Sequence, residues 1–123
     1  MAKKRILIVD DDASLQAFLK KRLEARGFDC LSVFTVEAAL RGLEAIRPDL
    51  ILLDLGFQKI DGVAFLQHAR QWLPADWELP PVVIISGFSE KEIVDYCLDT
   101  GASGFIAKPF EPDQLMQIID GYL

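Results

Sequence analysis

Several things are scarce in this 123-residue chain, and each scarcity removes a class of function. It has 2 cysteines, Cys30 and Cys97, both in apolar segments and without metal-ligand spacing. A disulfide framework or a thiolate metal site is therefore disfavoured, and two reduced packing residues of a cytosolic protein are expected. The one histidine, His68, is expected on an exposed helix face rather than as a ligand or phosphodonor. An excess of basic charge is also missing: the net charge is −6. A nucleic-acid backbone repels that balance, so direct nucleic-acid binding is not expected; Lys3-Lys4-Arg5 and Lys20-Lys21-Arg22 read as solvated faces. No apolar run approaches the roughly 20 residues that span a bilayer, so no membrane partner is expected. The basic-then-apolar start resembles a signal peptide only briefly, because Asp10-Asp11-Asp12 interrupts it. A cytoplasmic location is the expectation. No linker or composition shift divides residues 1–123, which read as one domain.

Five short apolar runs alternate with segments of helical period. Ile6-Leu7-Ile8-Val9, Leu50-Ile51-Leu52-Leu53 and Val82-Val83-Ile84-Ile85 are apolar on both faces, as strands covered on both sides must be. Cys30 to Val33 and Gly104 to Ala107 read as two further strands. The first helix carries Leu15, Phe18, Leu19 and Leu23 on one face, with Asp12 as N-cap and Gly27 just past its end. Thr35 caps a second helix burying Ala39, Leu40, Leu43 and Ile46, stopped before Pro48. A third helix follows a loop through Gly62 and buries Val63, Phe65, Leu66 and Ala69. A proline-rich connection from Pro74 to Pro81 carries Trp77, expected against the domain edge, as is Trp72. Ser89 and Glu92 form a candidate capping box for a fourth helix that buries Ile93, Val94, Cys97 and Leu98. Pro112 opens a fifth, with Leu115, Ile118 and Ile119 inside. The alternation predicts an α/β fold, an open parallel sheet wrapped on both faces.

Ligands of such sheets bind outside the carboxyl ends of the strands. There the sequence delivers Asp10 and Asp11 from strand one, Asp54 from strand three, Ser86 from strand four and Lys108 from strand five. Two carboxylates about 4 Å apart repel by roughly 4 kcal/mol at an effective dielectric near 20. Such a cluster favours a divalent cation, and hard oxygen donors favour Mg²⁺, especially beside a phosphate. The bland readings are weaker. Helix capping accounts for Asp12 but not for three acids ending a buried strand.

Ile6 to Asp12, Leu52-Leu53-Asp54-Leu55, Asp61-Gly62, Ile84 to Gly87 and Lys108-Pro109-Phe110 together resemble the receiver domain of two-component response regulators, of the chemotaxis-regulator type. The order and spacing agree over essentially the whole chain. The resemblance implies a five-stranded, doubly wound, flavodoxin-like sheet of order 2-1-3-4-5. It implies that Asp54 accepts a phosphoryl group from a sensor histidine kinase or a phosphotransfer protein. Asp11 is implied as a direct Mg²⁺ ligand, with Asp10, Asp54 and the backbone carbonyl of Gly56 completing the metal site. Lys108 is implied to pair with the phosphoryl group and Ser86 to hydrogen-bond it, with Phe105 as the switch aromatic. The Lys108–Pro109 peptide is expected to be cis. The readout surface is implied to be helix four, strand five and helix five, which is also the candidate dimerisation face, toward a downstream effector domain or protein.

On this reading the chain is no conventional enzyme; it catalyses its own Mg²⁺-dependent phosphorylation and dephosphorylation. One departure stands out: the family's common methionine–proline pair after the acceptor is replaced by Phe57 and Gln58, which frees the loop backbone. Gly56 and Phe88 hold positions that tune hydrolysis, the first opening the site to water and the second shielding it. An aspartyl-phosphate phosphatase needs a second acid two residues after the nucleophile, where this chain has Gly56. The alternative that survives is a degenerate receiver acting only as a protein-binding module.

Overall fold

The computed structural model describes residues 3–54, 59–87 and 90–123, and within α3 the side chains of residues 59–63, 70 and 72 lie outside that description. In chain order the elements are β1 (Arg5–Val9), α1 (Ala13–Ala25), β2 (Asp29–Val33), α2 (Val36–Ile46), β3 (Leu50–Asp54), α3 (Lys59–Trp72), β4 (Val82–Ser86), α4 (Lys91–Thr100), β5 (Gly104–Ala107) and α5 (Pro112–Tyr122). The strands form one sheet of order β2-β1-β3-β4-β5. Every pairing is parallel.

Alternation of side chains along each strand sorts the core into two layers. Ile6, Ile8, Leu50, Leu52, Val83, Ile85 and Ile106 face α1 and α5, where Leu19, Leu23, Leu115, Met116 and Ile119 meet them. Leu7, Val9, Ile51, Leu53, Val82 and Ile84 face α2, α3 and α4, against Ala39, Leu43, Phe65, Leu66, Ala69 and Cys97. This is why β1, β3 and β4 are apolar at consecutive positions: both faces are covered.

The helix ends follow local chemistry. Asp12 accepts from the backbone N–H groups of Ser14 and Leu15, and Thr35 accepts from Ala38. Gly27 takes φ 94°, a conformation in which a Cβ is strained, and so ends α1. Arg47 takes the left-handed conformation (φ 46°) before Pro48. Gln114 accepts from the N–H of Glu111 at the start of α5. Trp77 packs on the α2–α3–α4 layer, and the Arg47 guanidinium lies 4.8 Å from its ring. His68 is exposed. Both cysteines are free and buried, and burial pushes the Cys30 thiol up to about 11, so the pair serves packing.

Four expectations are corrected. Phe18 is 40% exposed, on the flank of the face that turns Leu19 and Leu23 inward, and the Arg22 guanidinium lies 4.8 Å from its ring. Leu98 is 41% exposed and Val94 is only half-buried; of the α4 face, Cys97 alone is fully buried. The third helix begins at Lys59, so Gly62 lies within it rather than before it. The N-cap of α4 is Glu90, which makes no side-chain cap hydrogen bond. Ser89, the expected cap, lies outside the described residues.

Candidate functional site

Parallel strands all present their carboxyl ends to one edge, and the acids sit there. Asp10 follows β1 directly and is 4% exposed, with its N–H donating to the Val33 carbonyl at 3.1 Å. One carboxylate oxygen, Oδ1, accepts from the Asp12 N–H at 3.1 Å. The other, Oδ2, is buried and has no hydrogen-bond partner among the described residues. Burial first, then the charges of Asp54 and Asp11, push the Asp10 carboxyl up to about 7, against the lowering effects of the Asp12 N–H and Lys108.

Asp54 ends β3 with its side chain only 2% exposed. It forms an ion pair with the Lys108 ammonium. Lys108 follows β5, two strands away from β3, and neighbouring strands lie about 4.8 Å apart. A long cationic side chain is what can bridge that span. Ser86 ends the intervening strand, β4, and is fully buried; its carbonyl accepts from the Lys108 N–H at 2.8 Å. The Lys108–Pro109 peptide is cis.

Of the residues singled out from the sequence, Asp54 and Lys108 therefore pair directly, Asp10 lies close enough for their charges to act on it, and Ser86 ends the strand between theirs. Asp11 is exposed at the mouth, close enough for its charge to act on Asp10. Gly56, Phe57, Gln58 and Phe88 lie outside the described residues. Phe105 is half-buried on the α2–α3–α4 layer; its register partner is Ile84, and by alternation Ser86 lies on that same face.

Hard carboxylate oxygens with a buried, unsatisfied Oδ2 suit Mg²⁺. Among the described residues no three acidic, histidine or cysteine side chains are close enough to hold a metal ion by themselves. A cation here must draw on backbone or water oxygen as well, as Mg²⁺ ordinarily does.

Sequence reasoning missed Gln16. It is 2% exposed, and its Nε2 donates to the carbonyls of Ile8, Asp10 and Val33 at 2.9, 3.2 and 2.7 Å. The available signal was spacing: Gln16, Leu19 and Leu23 lie three and seven residues apart, on the inward face of α1.

The family model for the response regulator receiver domain matches residues 6–120. The chain belongs to that family. Over 108 residues it is 40% identical to the KDP operon transcriptional regulatory protein KdpE of Escherichia coli, covering 85% of this chain and 44% of that protein. It is 32% identical over 112 residues to the alkaline phosphatase synthesis transcriptional regulatory protein PhoP of Bacillus subtilis, covering 91% of this chain and 45% of that one. The receiver chain thus spans about half the length of the curated relatives it matches. The fold is that of the Vibrio cholerae chemotaxis protein CheY4, with a TM-score of 0.88, 23% identity, and coverage of 99% of this chain and 100% of that one. Among the described residues no helix is long and apolar enough to cross a membrane.

Proposed function

We propose that this receiver domain is a phosphoacceptor switch in which Asp54 carries the phosphoryl group. The observation that carries the reading is the buried Asp54 carboxylate, paired with Lys108 and beside Asp10, at the strand edge where α/β sheets bind ligands. A carboxylate oxygen of Asp54 attacks the phosphorus of a phosphohistidine on a sensor histidine kinase or phosphotransfer protein. The new P–O bond forms as the P–N bond breaks, and the imidazole leaves with a proton. In the separate hydrolysis step, water attacks phosphorus, the acyl phosphate P–O bond breaks, inorganic phosphate leaves, and the Asp54 carboxylate is regenerated. Asp10, Asp11 and Asp54, with the Gly56 carbonyl, would hold Mg²⁺, which when bound neutralises developing charge on the phosphoryl oxygens.

Lys108 leaves the Asp54 oxygen to pair with the phosphoryl group, and the Ser86 hydroxyl donates to it. Ser86 and Phe105 share one face of the sheet, so movement of the hydroxyl opens space that the ring can fill. The surface of α4, β5 and α5 then reports the state to an effector domain or protein, or to a second copy. KdpE and PhoP are transcriptional regulators by name, and control of transcription is the kind of output this reading takes for the switch.

The decisive experiment is incubation with a small acyl phosphate donor and Mg²⁺, followed by intact mass. One phosphoryl adduct is expected on the wild type, and none on Asp54→Asn or with a chelator. No adduct on the wild type with any of several donors overturns the switch and leaves a protein-binding module.

A further inference from the structure

We infer that Gln16 is a positioning residue for the Mg²⁺-binding acids, acting through the peptide group that joins Asp10 to Asp11. This rests on the reading that those acids hold the cation.

The carbonyl of Asp10 belongs to the peptide plane between the two acids, so its direction sets where both carboxylates can reach. That plane is held at its carbonyl, and the preceding Val9–Asp10 peptide is held at its N–H. The Asp10 N–H donates to the Val33 carbonyl at 3.1 Å, and the Asp10 carbonyl accepts from Gln16 Nε2 at 3.2 Å. The same nitrogen donates to the Val33 carbonyl at 2.7 Å and the Ile8 carbonyl at 2.9 Å, so its two N–H groups serve three carbonyls and one of them is shared. One buried amide therefore ties the end of β1, the end of β2 and the Asp10–Asp11 peptide into one unit. The orientation of the amide is fixed by chemistry: turned over, its oxygen would face three carbonyl oxygens.

Gln16 is itself anchored, because its backbone N–H donates to the Asp12 carbonyl at 3.0 Å in the first turn of α1. Its Oε1 is buried and has no hydrogen-bond partner among the described residues, a cost that a purely apolar side chain at this position would avoid. Packing alone does not account for the residue. A clamp on the peptide between two metal-binding acids does, in the way that outer groups commonly orient metal ligands.

The test compares Gln16→Met, of similar length but without a donor, with the wild type. Mg²⁺ affinity is read by calorimetric titration of the whole chain, and metal-free stability by thermal melting. The expected result is Mg²⁺ binding weakened on the order of tenfold. An affinity within about twofold of wild type in a folded variant, whatever its melting temperature, overturns the positioning role. If Gln16→Met does not fold, NMR on the wild type decides. The Gln16 side-chain amide resonances are expected to shift on adding Mg²⁺, and unchanged resonances overturn the inference. Failure of the wild type to bind Mg²⁺ at all defeats the metal reading itself, and this inference with it.

Discussion

The ammonium of Lys108 pairs with the carboxylate of Asp54 across an intervening strand, β4, whose last residue is Ser86. One partner of this pair is almost wholly buried and the other is about a third exposed, at 2% and 32%. The pair is thus neither a free surface contact nor a sealed one, and its removal has a definite sign. Lys108→Met leaves the Asp54 carboxylate, and Asp10 near it, without their cation. The expected loss in metal-free protein is about 1–2 kcal/mol, toward the low end for a charged hydrogen bond because water reaches Lys108. Urea denaturation of both proteins checks this; equal midpoints would mean that solvent already replaces the ammonium.

The pH dependence follows from Asp10. Its carboxyl ordinarily ionises near 3.8, and in the folded protein burial pushes this up to about 7. Between those values the native state holds a proton that the unfolded chain lacks, so stability falls as pH rises through the window and levels off above about 7. Asp10→Asn keeps an acceptor for the Asp12 N–H and removes the titration. With a chelator present, the variant should gain on the wild type steadily from about pH 4 to about pH 7. Melting temperatures across that range decide it, and parallel curves would show that Asp10 ionises as an ordinary carboxylate.

On the proposed reading, added Mg²⁺ works against the same electrostatic cost. At a hundredfold excess over its dissociation constant a cation that binds only the native state adds about 2.7 kcal/mol. Asp11 is exposed, so Asp11→Ala should leave metal-free stability within about 0.5 kcal/mol of wild type. It should nevertheless remove most of the Mg²⁺-induced rise in melting temperature. A rise of the same size in both proteins would count against Asp11 as a ligand.

The strands and the inventory of acids were legible because both depend on patterns of short range, whereas the strand order came from the family resemblance. Ile6 to Val9 and Leu50 to Leu53 are apolar without interruption, which only a doubly covered strand tolerates, and strand polarity alone carries Asp10, Asp54 and Lys108 to one edge. The contribution of Gln16 was not legible, since a polar residue on a helix is ordinarily solvated, and its partners are carbonyls at three different places in the chain. The widths of the buried stripes were not legible either. Spacing marks Phe18 and Leu98 as members of apolar faces, yet whether a helix leans far enough to bury its flank depends on its neighbours. Arg22 lies over the Phe18 ring, and α4 packs on its layer through Cys97 and the half-buried Ile93.

The last prediction concerns the tie between the end of α5 and the start of β5. The Tyr122 hydroxyl donates to the Ser103 carbonyl at 2.5 Å. A Cβ built on the next residue, Gly104, would lie 3.1 Å from that same hydroxyl oxygen. Tyr122→Phe alone should cost about 0.5–1.5 kcal/mol, the value of one hydrogen bond, and less if water replaces it at this exposed position. Gly104→Ala alone gains chain stiffness but forces the phenol away, disturbing the bond. In the double variant the hydroxyl is gone, and the ring atoms left near the new methyl are no closer than 3.5 Å, an ordinary contact. The two changes should therefore be non-additive, with Gly104→Ala better tolerated in the Tyr122→Phe background by at least about 0.5 kcal/mol. A double-mutant cycle by denaturant unfolding measures this coupling. Strict additivity would show that the Tyr122 hydroxyl is not what limits the residue at Gly104.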